Sequence, residues 1–212
     1  MMRTFWLFMI AMCAASMVFA QDVRFRWAFG VATGAGPARH FAPITSEDVT
    51  LRSGDEIKMF VGPECKCFIY VLHQDQAGQF EVLYPADGAF TATPPSTASY
   101  IPAGGGWLQV DEASGTERLY LLASTTRQAS LERLLTAAAS TAKSPSTTQQ
   151  IVGELARLQK TSVVRNWSER PVTMGGQVRG KQDAAHPDIA RNATEITGNA
   201  PFFSRVFIID HR

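Results

Sequence analysis

The chain has 212 residues, 45% of them hydrophobic and 18% charged, with 20 Lys and Arg against 19 Asp and Glu. That composition excludes a disordered or collagen-like chain, and an even charge balance with no long Lys/Arg run excludes the broad positive field of a nucleic-acid binder. Three cysteines are too few for a disulfide-framework fold, so stability has to come from an apolar core.

Residues 1–20 open with Met-Met-Arg-Thr, run apolar from Phe5 to Ala15 and reach Val18 and Ala20 before the polar Gln21-Asp22. A positive start at Arg3, a short apolar run and small residues where a peptidase reads are the pattern of a secretory signal peptide, with a mature start expected at Gln21. The run is short for a membrane anchor. Met12 before Cys13 does not fit a lipid-attachment box, which takes a small residue there. No later stretch is apolar over the roughly 18 residues that a membrane helix needs. A periplasmic or secreted protein with no span after cleavage is therefore expected. Losing Arg3 leaves the mature chain formally neutral, with Cys65 and Cys67 as its cysteines in a compartment that permits disulfides.

Val23, Phe25, Trp27 and Phe29 alternate with Arg24, Arg26 and Ala28, the period-2 pattern of a half-buried strand. Residues 30–46 are rich in Gly and Pro and read as a loop. Ile57–Val61, Cys67–His73 and Phe80–Tyr84 are short apolar runs separated by Gly62-Pro63 and by Asp75-Gln76-Ala77-Gly78, and they read as an antiparallel meander. After a Thr/Pro/Ser-rich loop over Asp87–Ala98, further strands are expected at Tyr100–Pro102, Trp107–Val110 and Glu117–Ala123. Leu131, Leu134 and Leu135 then change the period to helical, with Ser130 as the expected N-cap. Ser146 and Gln149 fit a capping box ahead of Ile151, Leu155 and Leu158. These two helices should form a hairpin over the sheet. Val163–Trp167 and Val172–Met174 are short strand candidates, Gly175–Asp188 is loop-like, and Phe202–Asp210, apolar on both faces, should be a buried closing strand paired with the early ones. The expected fold is mainly β (α+β): an antiparallel β-sandwich-like domain over residues 21–212 with a helical insertion at about residues 128–160.

Leu51-Arg-Ser-Gly-Asp-Glu-Ile-Lys58, Cys67-Phe-Ile-Tyr-Val-Leu-His73 with Asp75 and Gly78, Leu83-Tyr-Pro85, Tyr100-Ile-Pro102 and Gly115–Ser124 come in an order that resembles the bacterial extracytoplasmic family called domain of unknown function 4384. Glu169–Val172, Gly176–Gly180 and Phe203–His211 resemble the C-terminal part of its exported single-domain members, extending the likeness over nearly all of residues 23–212. The resemblance implies an exported accessory role and carries no catalytic residues to transfer.

Candidate chemistry is sparse. In an extended strand the Cα atoms of Cys65 and Cys67 would lie about 6.6 Å apart at about 3.3 Å per residue, near the upper limit for a disulfide. A pair of buried thiols is the expectation; a local disulfide would need a bent backbone, and a soft-metal site with His73 is a further alternative. A Cys67–His73 nucleophile pair on one strand would be roughly 20 Å apart, beyond hydrogen-bond reach. No G-x-S-x-G occurs, and no pair of carboxylates stands in a recognisable acid/base pattern. Gly34-Ala-Gly36 runs into Pro37, Gly104–Gly106 runs into a strand and Gly175-Gly176 lacks the Lys-Ser/Thr of a phosphate loop, so all three read as turns. His40, His186 and His211 are scattered in sequence. Tyr84, Tyr100, Trp107 and Tyr120 border loops, where aromatics of this kind are more often core and rim residues than a ligand platform. No residue is assigned as catalytic or metal-ligating, and no cofactor is expected. The leading function is a non-enzymatic module that binds or assembles a protein or glycan partner in the cell envelope. The alternatives are an enzyme of unrecognised type, such as a hydrolase, or Cys-based metal handling.

Overall fold

The computed structural model describes residues 22–34, 40–140, 144–162, 167–171, 189–198 and 200–212. The expected signal peptide, Cys13, the strand candidate Val172–Met174, the loop Gly175–Asp188 with His186, and most of Val163–Trp167 lie outside them. The described residues build two β-sheets and two helices, so the mainly-β expectation holds.

The first sheet runs β10 (Trp167–Pro171), β11 (Thr194–Gly198), β1 (Arg24–Thr33), β4 (Glu56–Pro63) and β7 (Ser99–Ile101), with β2 (His40–Pro43) beside β1 and β8 (Leu108–Gln109) beside β4. The second runs β3 (Asp48–Leu51), β12 (Phe202–His211), β9 (Gly115–Ser124), β5 (Phe68–Gln74) and β6 (Phe80–Tyr84). Alternation decides which side chains meet between them. Phe25, Trp27 and Phe29 of β1 and Met59 and Val61 of β4 face Ile69, Val71, Leu119, Leu121, Phe203 and Phe207 of the second sheet in one buried cluster. Edge-to-face and tilted ring contacts, Phe25 on Phe203 and both Trp27 and Phe29 on Phe207, lie at 5.1–5.2 Å between centroids.

The outward phase of the second sheet is apolar as well, because helices cover it. Tyr70, Leu72, Tyr120, Leu122 and Phe202 pack on Leu131 and Leu135 of α1 (Ala129–Ser140) and on Ile151, Leu155 and Leu158 of α2 (Pro145–Ser162). The hairpin thus forms a third layer. Its caps differ from expectation. Glu132 N–H donates to the carbonyl of Gln128, which places the cap at Gln128 and Ser130 inside the first turn. Thr148 N–H donates to the carbonyl of Ser144, and Pro145 opens the second helix, where its fixed φ and missing N–H cost nothing. Glu132, 3% exposed, accepts from Tyr70 Oη at 2.8 Å and from Arg127 Nε at 2.5 Å, and Gln128 N–H donates to the same Tyr70 oxygen at 3.3 Å. Burial, then the carboxylate, hold the Tyr70 phenol well above its ordinary pKa, so it stays a donor. Tyr70→Phe strands a buried carboxylate oxygen and should cost about 1–3 kcal/mol in a urea titration, with the m-value unchanged.

Other expectations are corrected as well. The meander does not form: β4 belongs to the first sheet, while β5 and β6 form a hairpin in the second. The corner between β4 and β5 is the physical reason. Cys65 and Cys67 are joined there in a disulfide with Cα atoms 5.5 Å apart, and Cys67 exchanges backbone hydrogen bonds with Thr93. The bent backbone required for that bond carries the chain from one sheet to the other, so the pair is not two free thiols. The expected loop over residues 30–46 is partly strand, since β1 continues through Gly30 to Thr33 and pairs β2. A Cβ at Gly30 would lie 2.3 Å from the Phe41 ring, so glycine lets that ring seat on the strand. The closing segment is an inner strand, as expected, but its neighbours are β9 and the unexpected short strand β3, while the early strands β1 and β4 lie in the other sheet. β12 runs antiparallel to β9 along its whole length and parallel to β3 on its other side.

Candidate functional site

At one end of the second sheet the inward phase turns polar. It runs Ile69, Val71, His73 on β5, Leu121, Leu119, Glu117 on β9, and Phe207, Ile209, His211 on β12. Register aligns these ends: His73 sits opposite Leu119 on one side and Glu81 of β6 on the other, and Ile209 sits opposite Glu117. A row of ionisable side chains therefore closes the sandwich at that end.

His73 Nε2 lies 2.7 Å from Glu117 Oε2. The other oxygen, Oε1, is 4.0 Å from His211 Nδ1. His211 is fully enclosed at its side chain, its Nε2 is 3.2 Å from Ser53 Oγ, and its Nδ1 has no hydrogen-bond partner among the described residues. Asp111, exposed in the loop after β8, brings a carboxylate oxygen within 4.8 Å of ligand atoms of both Glu117 and His211. One Asp111 oxygen, Oδ1, accepts from Ala113 N–H at 2.8 Å.

The order Ser53–His211–Glu117 mimics a nucleophilic relay, but in this geometry its second link is open. A gap of 4.0 Å exceeds hydrogen-bond reach, and Glu117 is engaged by His73 instead. The thiol alternative lacks its reactive species as well, since both sulfurs are bonded to each other and neither is a thiolate that could attack or ligate.

The polar row borders a hollow of about 240 Å³ between the sheets, lined on its apolar side by Leu51, Ile57, Leu83, Leu108 and Ile209. A second hollow of about 440 Å³ adjoins it through Leu83 and Leu108 and is walled by Tyr84, Tyr100, Ile101 and Pro102. The first reaches β6 at Glu81 and Leu83, and the second lies between β6 and β7, the edge strands of the two sheets. Among the described residues no strand pairs the outer edge of β6.

The aromatics named from sequence separate. Tyr120 is buried under the helices and its phenol donates to Gln74 Oε1 at 3.0 Å. Tyr84 and Tyr100 wall the second hollow. Tyr100 and Trp107 also flank Lys58, whose ammonium lies 5.9 and 5.6 Å from their ring centroids on the outer face of the first sheet. Lys58 is fully buried and donates to the carbonyls of Gly104 and Gly106 at 2.7 and 2.6 Å. Burial lowers its pKa. The Gly104–Gly106 stretch, read as a turn, is thus tied down by a lysine from a neighbouring strand.

In sequence alone Ser53, Asp111 and Glu117 carry no assignment and His211 stands apart from the other histidines. A readable signal exists all the same: each of His73, Glu117 and His211 continues the inward apolar phase of its strand at the strand's end, where a purely structural sheet would carry another apolar residue. Pairing order, not composition, brings them together.

No described helix is long and apolar enough to cross a membrane. No curated protein and no solved structure matches the chain. Residues 50–127, which carry β4 through β9 with Ser53, His73, Asp111 and Glu117 but neither the helices nor His211, match the model of the family described as Domain of unknown function (DUF4384), and this shorter stretch is where the family resemblance is supported.

Proposed function

We propose that the protein is an exported, non-enzymatic accessory module that binds an extended peptide segment of an envelope or extracellular partner along the free edge of β6. The observation that carries this reading is the pairing order. Among the described residues β6 ends its sheet with an unpaired row of backbone donors and acceptors, directly beside two adjoining hollows that share Leu83 and Leu108. An added strand would satisfy that edge, and its alternate side chains would drop into the hollows. Glu81 and Leu83 point inward on β6 and would sort those side chains by charge and size. Export rests on the pattern of residues 1–20.

Selection of a displayed peptide library on the purified mature chain tests the reading. Enriched peptides should carry apolar residues at alternating positions. Leu83→Arg should reduce their retention at least tenfold, with circular dichroism confirming that the variant stays folded. Enrichment of no sequence, or full retention by the Leu83→Arg variant, would count against it.

A further inference from the structure

We propose that His211, Glu117 and Asp111 form a binding site for one divalent transition-metal ion, of the borderline class represented by Zn²⁺, at the polar end of the sandwich. This inference does not depend on peptide binding at β6. Three ligand atoms of types that zinc accepts, one imidazole nitrogen and two carboxylate oxygens, lie within 4.8 Å of one another.

The independent sign of a ligand is His211 itself. Its side chain has no solvent exposure, yet Nδ1 makes no hydrogen bond among the described residues and stands 4.0 Å from Glu117 Oε1. An enclosed imidazole nitrogen without a partner is costly unless something fills its lone pair. Ser53 Oγ, 3.2 Å from Nε2, can accept a proton from that nitrogen, and in the tautomer that does so Nδ1 carries the lone pair on the side of the carboxylates. His73 fixes the second ligand in the same manner, holding Glu117 Oε2 at 2.7 Å and leaving Oε1 to face His211. Both are the outer hydrogen bonds that orient ligands in metal sites.

The geometry closes with small motions. A tetrahedral ion at about 2.1 Å from each donor spaces its ligands roughly 3.4 Å apart. The three atoms must therefore draw together by about 1.4 Å at most, and Asp111, exposed and on a loop, can supply that movement. Asp111 and Glu117 also line the hollow between the sheets, so the fourth coordination position opens into that space. Two carboxylates around one neutral imidazole compensate the charge of a divalent cation. The imidazole selects zinc-like ions over Mg²⁺, which favours oxygen ligands.

Calorimetric titration of chelator-stripped mature protein with Zn²⁺ tests the site. Binding of a single ion per chain is expected, with no comparable heat from Mg²⁺. Asp111→Asn, at an exposed position that leaves the core untouched, should weaken Zn²⁺ at least tenfold. Ser53→Ala should weaken it by about 10- to 100-fold through the freed imidazole. His40→Ala, at an exposed residue outside the cluster, should leave it unchanged. Because His211→Ala empties a buried position and risks unfolding the chain, the two milder variants carry the test, with circular dichroism confirming their structure. Absence of stoichiometric Zn²⁺ binding, or wild-type affinity in both Asp111→Asn and Ser53→Ala, would overturn the proposal and leave the row as a salt-linked seal of the sandwich end.

Discussion

Deleting Phe202–Arg212 is expected to unfold the protein or leave it insoluble. β12 lies between β9 and β3, so its loss exposes the edges of both neighbours as well as removing their hydrogen bonds. It also removes Phe203, Phe207 and Ile209, each at most 2% exposed. At about 1.5–3 kcal/mol per buried side chain, these three alone approach the roughly 5–15 kcal/mol that separates folded from unfolded states. Near-UV circular dichroism and the solubility of the expressed chain report the outcome. A truncated chain that stays folded with an unchanged thermal midpoint would show that the last strand is dispensable and that residues 22–212 do not fold as one cooperative unit.

Phe207→Ala should be the most damaging single substitution in the core. Phe207 is fully buried and its ring meets both Trp27 and Phe29 across the sheet interface at 5.2 Å. Truncation leaves a cavity between two sheets that are held apart by their other aromatic residues, so collapse is incomplete and the cost is about 3–5 kcal/mol. The thermal midpoint should fall on the order of 10 °C. Ile208→Ala is the internal control. The Ile208 side chain faces outward at 40% exposure, and its truncation should change stability by less than about 0.5 kcal/mol. Equal effects at the two positions would mean that the inward and outward phases of β12 are wrongly assigned.

Much of this architecture is legible in the residues. Strict alternation in Val23–Phe29 and an apolar run on both faces in Phe202–Asp210 mark β1 and β12, because burial between layers leaves that imprint directly. The helical spacing of Leu131, Leu134 and Leu135 places α1 for the same reason. The failures are local and physical. β3 (Asp48–Leu51) is short, and Leu51 is its one buried residue, so it has no periodic signal of its own and exists by pairing with β12. β11 (Thr194–Gly198) likewise buries Ile196 and Gly198 and depends on β1 and β10 for its place. The meander reading fails because three apolar runs with turns between them look alike whether the chain stays in one sheet or crosses to another. The Cys65–Cys67 corner that makes the crossing carries no periodicity.

The candidate site is hidden for a different reason. His73 is legible as a strand residue and Cys67 is out of its reach on the same strand, but no local pattern names the partner it does have. Its partner in space is Glu117, which hydrogen-bonds it from the next strand. Ser53 and His211 are 158 positions apart and meet because β3 and β12 run parallel with Leu51 opposite His211. Register of that kind depends on which strands pair, and pairing across the whole chain is not written in any local window.

Hydrogen exchange of the backbone amides of residues 80–84, with and without a peptide selected on the mature chain, is the most direct test of binding along the free edge of β6. Slowed exchange at alternate positions of β6, reversed in Leu83→Arg, is the expected result. Protection confined to the outer face around Lys58 and Trp107, with β6 amides unchanged, would contradict it.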